Sequence, residues 1–204
     1  MPTGTDAALA DWKAELAQAA ERSSPMPELR GWRTMFRHIP PKLVALPNWW
    51  PYEGIGAWSY MRYILVSPGL LTTAPTEVRR YIIGHELGHI RFGHTALNYL
   101  FPATFVAFFS ALMVFESQPQ DTLKTVSAIL MLLLLVPKSA LLWFPKRREF
   151  QADAHAAWLY GRNATLRASL WMAEAGGDHS ALRQARLRRL GYQGEFWSTT
   201  PPKP

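Results

Sequence analysis

The chain has 204 residues, a formal net charge of +7, 13% aromatic side chains and no cysteine. The absence of thiols excludes disulfides, thiolate metal ligands and a cysteine nucleophile, and it suits a reducing compartment. The positive charge gathers beside two apolar runs and in the last helix, where an anionic membrane leaflet accounts for it. With no nucleic-acid-binding motif beside it, no nucleic-acid partner is expected.

The first residues, MPTGTDAALADWKAE, hold neither a basic stretch nor an apolar one, so no signal peptide is expected. From Asp6 to Arg22 the spacing predicts an amphipathic helix with Leu9, Trp12, Leu16 and Ala19 on one stripe. That helix packs on the body of the protein or lies on a membrane surface. Residues 25–57, rich in Pro and Trp, read as irregular, with Trp32 in the core. The Trp49–Trp50 pair fits either the core or a membrane interface. A weakly alternating run of β-formers from Trp58 to Val66 predicts a strand. A helix follows, with Pro75 before the cap, Thr76 as cap, Glu77 in the first turn and Val78, Tyr81, Ile82 and Leu87 as apolar positions.

That helix carries His85-Glu-Leu-Gly-His89, an HExxH motif. Its histidines are four residues apart, so both imidazoles leave one helix face and can hold a single Zn²⁺. Glu86, next to the first ligand, reaches a water at the metal and serves as general base. Apolar flanks on both sides argue against a solvated face. Gly88, between the histidines, predicts a close backbone approach to the ligands or to a neighbouring helix. About 60 residues on, Glu149-Phe-Gln-Ala-Asp153 supplies the third protein ligand that catalytic zinc requires, in Glu149. Asp153, one turn later, is placed to hold the other ring N–H of a ligand histidine. The competing reading is a surface carboxylate pair beside Arg147 and Arg148.

Between the halves of the motif, Ala96–Phe115 and Thr125–Phe144 are apolar runs of about 20 residues, the second interrupted by Pro137 and Lys138. They predict a transmembrane helical hairpin, with a pair of buried core helices as the alternative. Arg91 before it and Lys146-Arg147-Arg148 after it place the catalytic side in the cytoplasm by the positive-inside rule. Later, Leu166–Glu174 predicts a helix, Gly176-Gly177 a break, and Ser180–Leu190 a basic helix capped by Asp178 or Ser180. The tail 199–204 reads as disordered.

HELGH, an apolar hairpin and EFQAD in that order resemble the HtpX-type membrane zinc metallopeptidases, gluzincin-type relatives of the CAAX prenyl proteases. Arg62-Tyr-Ile-Leu-Val-Ser-Pro-Gly-Leu-Leu71 is similar to that family's strand and turn before the zinc helix. The likeness spans roughly residues 58–190. It implies one zinc ion held by His85, His89 and Glu149, with Glu86 as base. It also implies an exposed edge strand near Trp58–Val66 to which a protein or peptide substrate adds as a further strand; the alternative is an ordinary sheet edge with no substrate role. His179 and one of Arg183 or Arg186 would then stabilise the oxyanion. The alternative for that helix is a basic face toward solvent or lipid headgroups. Three features depart from the family. Gly54-Ile-Gly-Ala-Trp-Ser-Tyr60 stands where an asparagine-alanine segment is usual. The late motif appears as His179-Ser-Ala-Leu-Arg183, continuing to Arg186. Two transmembrane helices usual ahead of the catalytic part have no counterpart.

The expected fold is α+β and mainly helical, a zincin-like domain with a small sheet, interrupted by the hairpin. Its parts are an N-terminal segment 1–57, catalytic segments 58–95 and 145–198, the hairpin 96–144 and the tail 199–204. The expected function is a zinc endopeptidase of the inner membrane acting on misfolded or membrane proteins. The rival is a catalytically silent membrane adaptor on the same fold; a prenyl-protein protease would need a larger membrane chamber than one hairpin.

Overall fold

The computed structural model describes residues 4–23, 40–47, 55–94, 146–178 and 180–194. Trp12, Leu16 and Ala19 make the first helix, α1 (Gly4–Ser23), one-sided, and all three are buried. The Trp12 indole N–H donates to the Leu71 carbonyl at 3.2 Å, so α1 packs on the catalytic body through a satisfied polar contact. Arg91 closes the far end, its guanidinium donating to the Ser23 hydroxyl at 3.3 Å and the Ala20 carbonyl at 3.4 Å. A cation there also suits the negative pole of α1.

Three short strands form one sheet in the order β1-β3-β2, with β1 Lys42–Ala45, β2 Ala57–Tyr60 and β3 Tyr63–Val66. β1 runs parallel to β3, pairing Lys42 with Tyr63 and Ala45 with Val66. β2 runs antiparallel to β3, pairing Ala57 with Val66 and Tyr60 with Tyr63. Two expectations change here. The segment 25–57, read as irregular, contains β1 and the first residue of β2. The single strand expected from Trp58 to Val66 is a hairpin that turns at Met61–Arg62. Met61 takes a φ of 49°, a left-handed conformation that glycine and asparagine adopt more cheaply. Of that hairpin only β2 lies at an edge of the sheet, with β1 at the other edge and β3 central.

Ser67 ends β3 and starts α2 (Pro68–Thr73), its hydroxyl accepting from Leu70 N–H at 3.4 Å and Gly56 N–H at 3.1 Å. Pro68 follows at the first helical position, where a missing N–H costs nothing. The zinc-motif helix is α3 (Thr76–Arg91), capped by Pro75 rather than Thr76. Thr76 lies inside the helix, and its hydroxyl accepts from Arg79 at 3.2 Å. The face bearing Ile83, Leu87 and Ile90 meets Trp12, Leu16, Ile64 and Leu70 in the core.

Residues 146–160 form α4, followed by α5 (Arg162–Gly176) and α6 (Ala181–Leu190). The helix expected at Leu166–Glu174 is longer at both ends, and Gly177 ends it in a left-handed cap with φ 62°. Ser180 is the cap of α6, its hydroxyl accepting from Arg183 N–H at 3.2 Å. Asp178 instead accepts from Ser180 N–H at 3.1 Å and from the Arg183 guanidinium at 3.0 Å. Among the described residues no helix is long and apolar enough to cross a membrane. The predicted hairpin 96–144 lies outside them, as do Trp32, Trp49, Trp50, His179 and the tail.

Candidate metal centre

The contact between α3 and α4 sets the site. A Cβ on Gly84 would lie 3.0 Å from the Cα of Ala156, and one on Gly88 would lie 3.0 Å from the Cα of Ala152. Two glycines a turn apart thus face two alanines a turn apart, and the backbones touch. Gly88 serves the neighbouring helix, one of the two readings its position allowed. This approach brings Glu149, on α4, against the histidines of α3.

His85 Nε2 and His89 Nε2 are 3.2 Å apart. Glu149 Oε2 lies 3.3 Å from the first and Oε1 lies 3.3 Å from the second. Edges of a tetrahedron with zinc bonds of about 2.0–2.1 Å are about 3.3–3.4 Å, so the three donor groups are spaced as ligands of one ion. Their chemistry agrees. His85 Nδ1 is 2.9 Å from Asp153 Oδ1, a carboxylate that can only accept, so the proton sits on Nδ1. The Nε2 lone pair is left facing the other donors. The residues present fit a zinc ion.

Asp153 is the orienting group expected for a ligand histidine, and it is itself held on both oxygens. Arg186 donates to Oδ1 and Oδ2 at 2.8 Å each, and the Tyr81 hydroxyl donates to Oδ1 at 3.1 Å. Arg186 also reaches Glu149 Oε2 at 2.7 Å through Nη1. Burial raises the Asp153 pKa, but hydrogen bonds from Arg186 and His85 overcome this and hold it below the usual carboxylate range. Glu149 behaves alike: burial opposes, and His85, His89 and Arg186 keep it ionised.

All three guanidinium nitrogens of Arg186 are engaged in this network, and Arg186 also lines the cavity over the site. Arg183 lines the cavity over the site, its Nε on Asp178 and its Nη1 3.5 Å from the Ser169 hydroxyl. That cavity holds about 450 Å³, and Ala57, Trp58 and Ser59 of β2 line it together with Met172 of α5. Glu86 lines it beside the two histidines.

His94 and Gln151 carry no reading in the sequence, and Tyr81 reads there only as an apolar position. The paired small residues Gly84/Gly88 and Ala152/Ala156 were a readable sign of helix contact; nothing local marks Tyr81 as a partner of Asp153.

His155, on the buried side of α4, donates from Nδ1 to the Gly84 carbonyl at 2.7 Å, and its buried Nε2 has no hydrogen-bond partner among the described residues. Burial pushes its pKa down to about 4. The folded state therefore binds fewer protons than the unfolded chain between about pH 4 and 6.5. Stability from this group is complete above about pH 6.5 and falls by roughly 3 kcal/mol as pH drops to 4. Urea titrations of metal-free wild type and His155→Gln from pH 7 to 4 should show this excess slope in the wild type alone.

Two histidines and a glutamate converging on one point, with a carboxylate behind and a sheet edge in front, define a metallopeptidase site. The chain belongs to peptidase family M48, whose sequence model matches residues 55–204, as an HtpX-like member. A protease HtpX homolog of Paracidovorax citrulli (strain AAC00-1) is 31% identical over 184 residues, covering 78% of this chain and 62% of that protein. Another, of Verminephrobacter eiseniae (strain EF01-2), is 31% identical over 166 residues, covering 72% and 56%. Protease HtpX of Glaesserella parasuis serovar 5 (strain SH0165) is 30% identical over 164 residues, covering 72% and 58%. The chain thus spans about three-fifths of the length of the curated relatives it matches. No solved structure matches it.

Proposed function

We propose that the chain is a membrane-anchored, zinc-dependent endopeptidase acting on misfolded or membrane proteins. The observation that carries this reading is the convergence of His85 Nε2, His89 Nε2 and the Glu149 carboxylate at 3.2–3.3 Å. A zinc ion held by His85, His89 and Glu149 would supply Lewis acidity toward the scissile carbonyl and a water. Glu86 takes the proton of the attacking water and passes it to the leaving amine. The exposed backbone of β2 receives the substrate as an added strand, which reads main chain more than side chains and suits broad specificity. Arg183 is assigned with His179 to the developing oxyanion: both Arg183 and Arg186 line the cavity, but all three guanidinium nitrogens of Arg186 are held by Asp153, Glu149 and Tyr81.

The apolar runs 96–115 and 125–144 support a membrane hairpin, with its basic flanks and the catalytic side toward the cytoplasm. Arg91 and residues 146–148 join that hairpin directly to α3 and α4, so the active site sits close to the membrane surface. Extracted segments of membrane proteins are presented there.

The test compares zinc-loaded wild type and Glu86→Gln, purified identically in detergent, on a loosely folded protein. Wild type should cleave, and the variant, holding as much zinc, should be slower by about 10²–10⁴-fold. Zinc retained by both with cleavage by neither would favour the silent adaptor. Equal cleavage by both would refute Glu86 as base.

A further inference from the structure

His85 has Asp153 behind it; His89 is backed differently. Its Nδ1 lies 3.0 Å from Nδ1 of His94, just past the end of α3. His94 Nε2 lies 3.0 Å from Gln151 Oε1, on the same turn of α4 that carries Glu149 and Asp153. We propose that His94 is a positioning residue for the metal ligand His89, fixing its tautomer through a relay that ends on Gln151. The inference rests on the zinc reading above and deepens it.

The proton positions follow in sequence. An amide oxygen only accepts, so His94 carries its proton on Nε2. Its Nδ1 is then a lone pair, and the proton shared across the 3.0 Å contact belongs to His89 Nδ1. His89 Nε2 is left as a lone pair facing His85 Nε2 and Glu149 Oε1. Reversing any link would put a proton on His89 Nε2 and close it to a metal. A protonated His94 would set two N–H groups against each other, so the relay is neutral. His94 is buried at 3% exposure and its ring stacks on Phe92 at 5.6 Å, which fixes the plane in which Nδ1 points. One ligand is thus held by an anion and the other by a neutral chain. The carboxylates at the site stay at Glu149 and Asp153, and Arg186 already balances part of their charge.

The test measures zinc affinity of the full chain in detergent by competition with a chromophoric chelator, alongside metal-free thermal unfolding. His94→Phe keeps a ring and removes the acceptor; Gln151→Leu removes the end of the relay. Both should weaken zinc binding by about 10–100-fold while the metal-free unfolding temperature stays near that of wild type. His94→Asn, whose Oδ1 stands where Nδ1 stood, should recover most of the affinity. Long-range ¹H–¹⁵N spectra of the zinc-loaded wild type should show protons on His89 Nδ1 and His94 Nε2. Unchanged affinity in both variants, or a proton on His94 Nδ1, overturns the relay. So does a fall in metal-free stability that matches the fall in affinity, since that is a packing role. If His94→Phe does not fold, Gln151→Leu, one step farther from the ligand, decides alone. A wild-type chain that takes up no zinc refutes the metal reading itself, a result separate from these.

Discussion

Arg186→Met is expected to lower the free energy of unfolding by about 3–5 kcal/mol, the cost of leaving buried carboxylates unpaired. Arg186 is only 7% exposed, and its guanidinium spans Asp153, Glu149 and the Tyr81 hydroxyl, the last at 2.9 Å. Methionine fills much of the volume, so the loss reports charge rather than a cavity. The pH dependence separates the two. In the wild type both carboxylates are held below their usual range, so their stabilisation is present above about pH 4 and is lost as pH falls through their folded values. In the variant the histidine contacts remain but burial is opposed less, so both carboxylates titrate higher and protonation costs the folded state less. The gap between variant and wild type should therefore be widest near pH 7 and shrink below about pH 4, by urea unfolding of metal-free protein. Zinc should narrow it too, since a cation at the site compensates Glu149. Arg186→Lys keeps one charge but cannot bridge both carboxylates, and should fall between the two. A gap independent of pH would show that Arg186 matters through packing.

How much of this was readable in advance divides along one physical line. The donor set obeys helix arithmetic: His85 and His89, then Glu149 and Asp153, are each four residues apart, and local periodicity reports such pairs. The role of Arg186 does not. Its partner Asp153 is 33 residues away and joins it only once α6 folds back on α4, so from residue types alone it was grouped with Arg183 as an oxyanion candidate. Turn chemistry explains the misplaced strand. Met61–Arg62 carries no glycine, asparagine or proline, so the hairpin left no mark, and the strain at Met61 is what the missing glycine costs. β1 is four residues between prolines, too short for its alternation to show. Thr76 looked like a cap because threonine favours that place, but Pro75 is already extended, with ψ at 158°, and the helix begins one residue earlier than expected.

The glycines of α3 offer the sharpest test of how the two halves of the site are held together. Gly→Ala inside a helix gains about 1 kcal/mol of propensity, so an isolated α3 would welcome the change. Here each new methyl meets backbone at 3.0 Å, and for Gly88 the neighbours include the Cα and carbonyl of Ala152 and the Cβ of His155. Backbone cannot rotate away, so α4 must shift. Overpacking of this kind costs about 1–3 kcal/mol, so Gly84→Ala and Gly88→Ala should each destabilise despite the gain in propensity. Their effects on the metal should differ. Ala152 lies between Glu149 and Asp153 on the ligand-bearing turn, whereas Ala156 is a turn farther along. Gly88→Ala should therefore weaken zinc binding more than Gly84→Ala at similar cost to stability. Ala152→Gly should not rescue Gly88→Ala, because the obstructing atom is the Cα, which every residue carries. Measured by chelator competition and urea unfolding, rescue by Ala152→Gly would place the contact between side chains and refute the backbone-to-backbone seam.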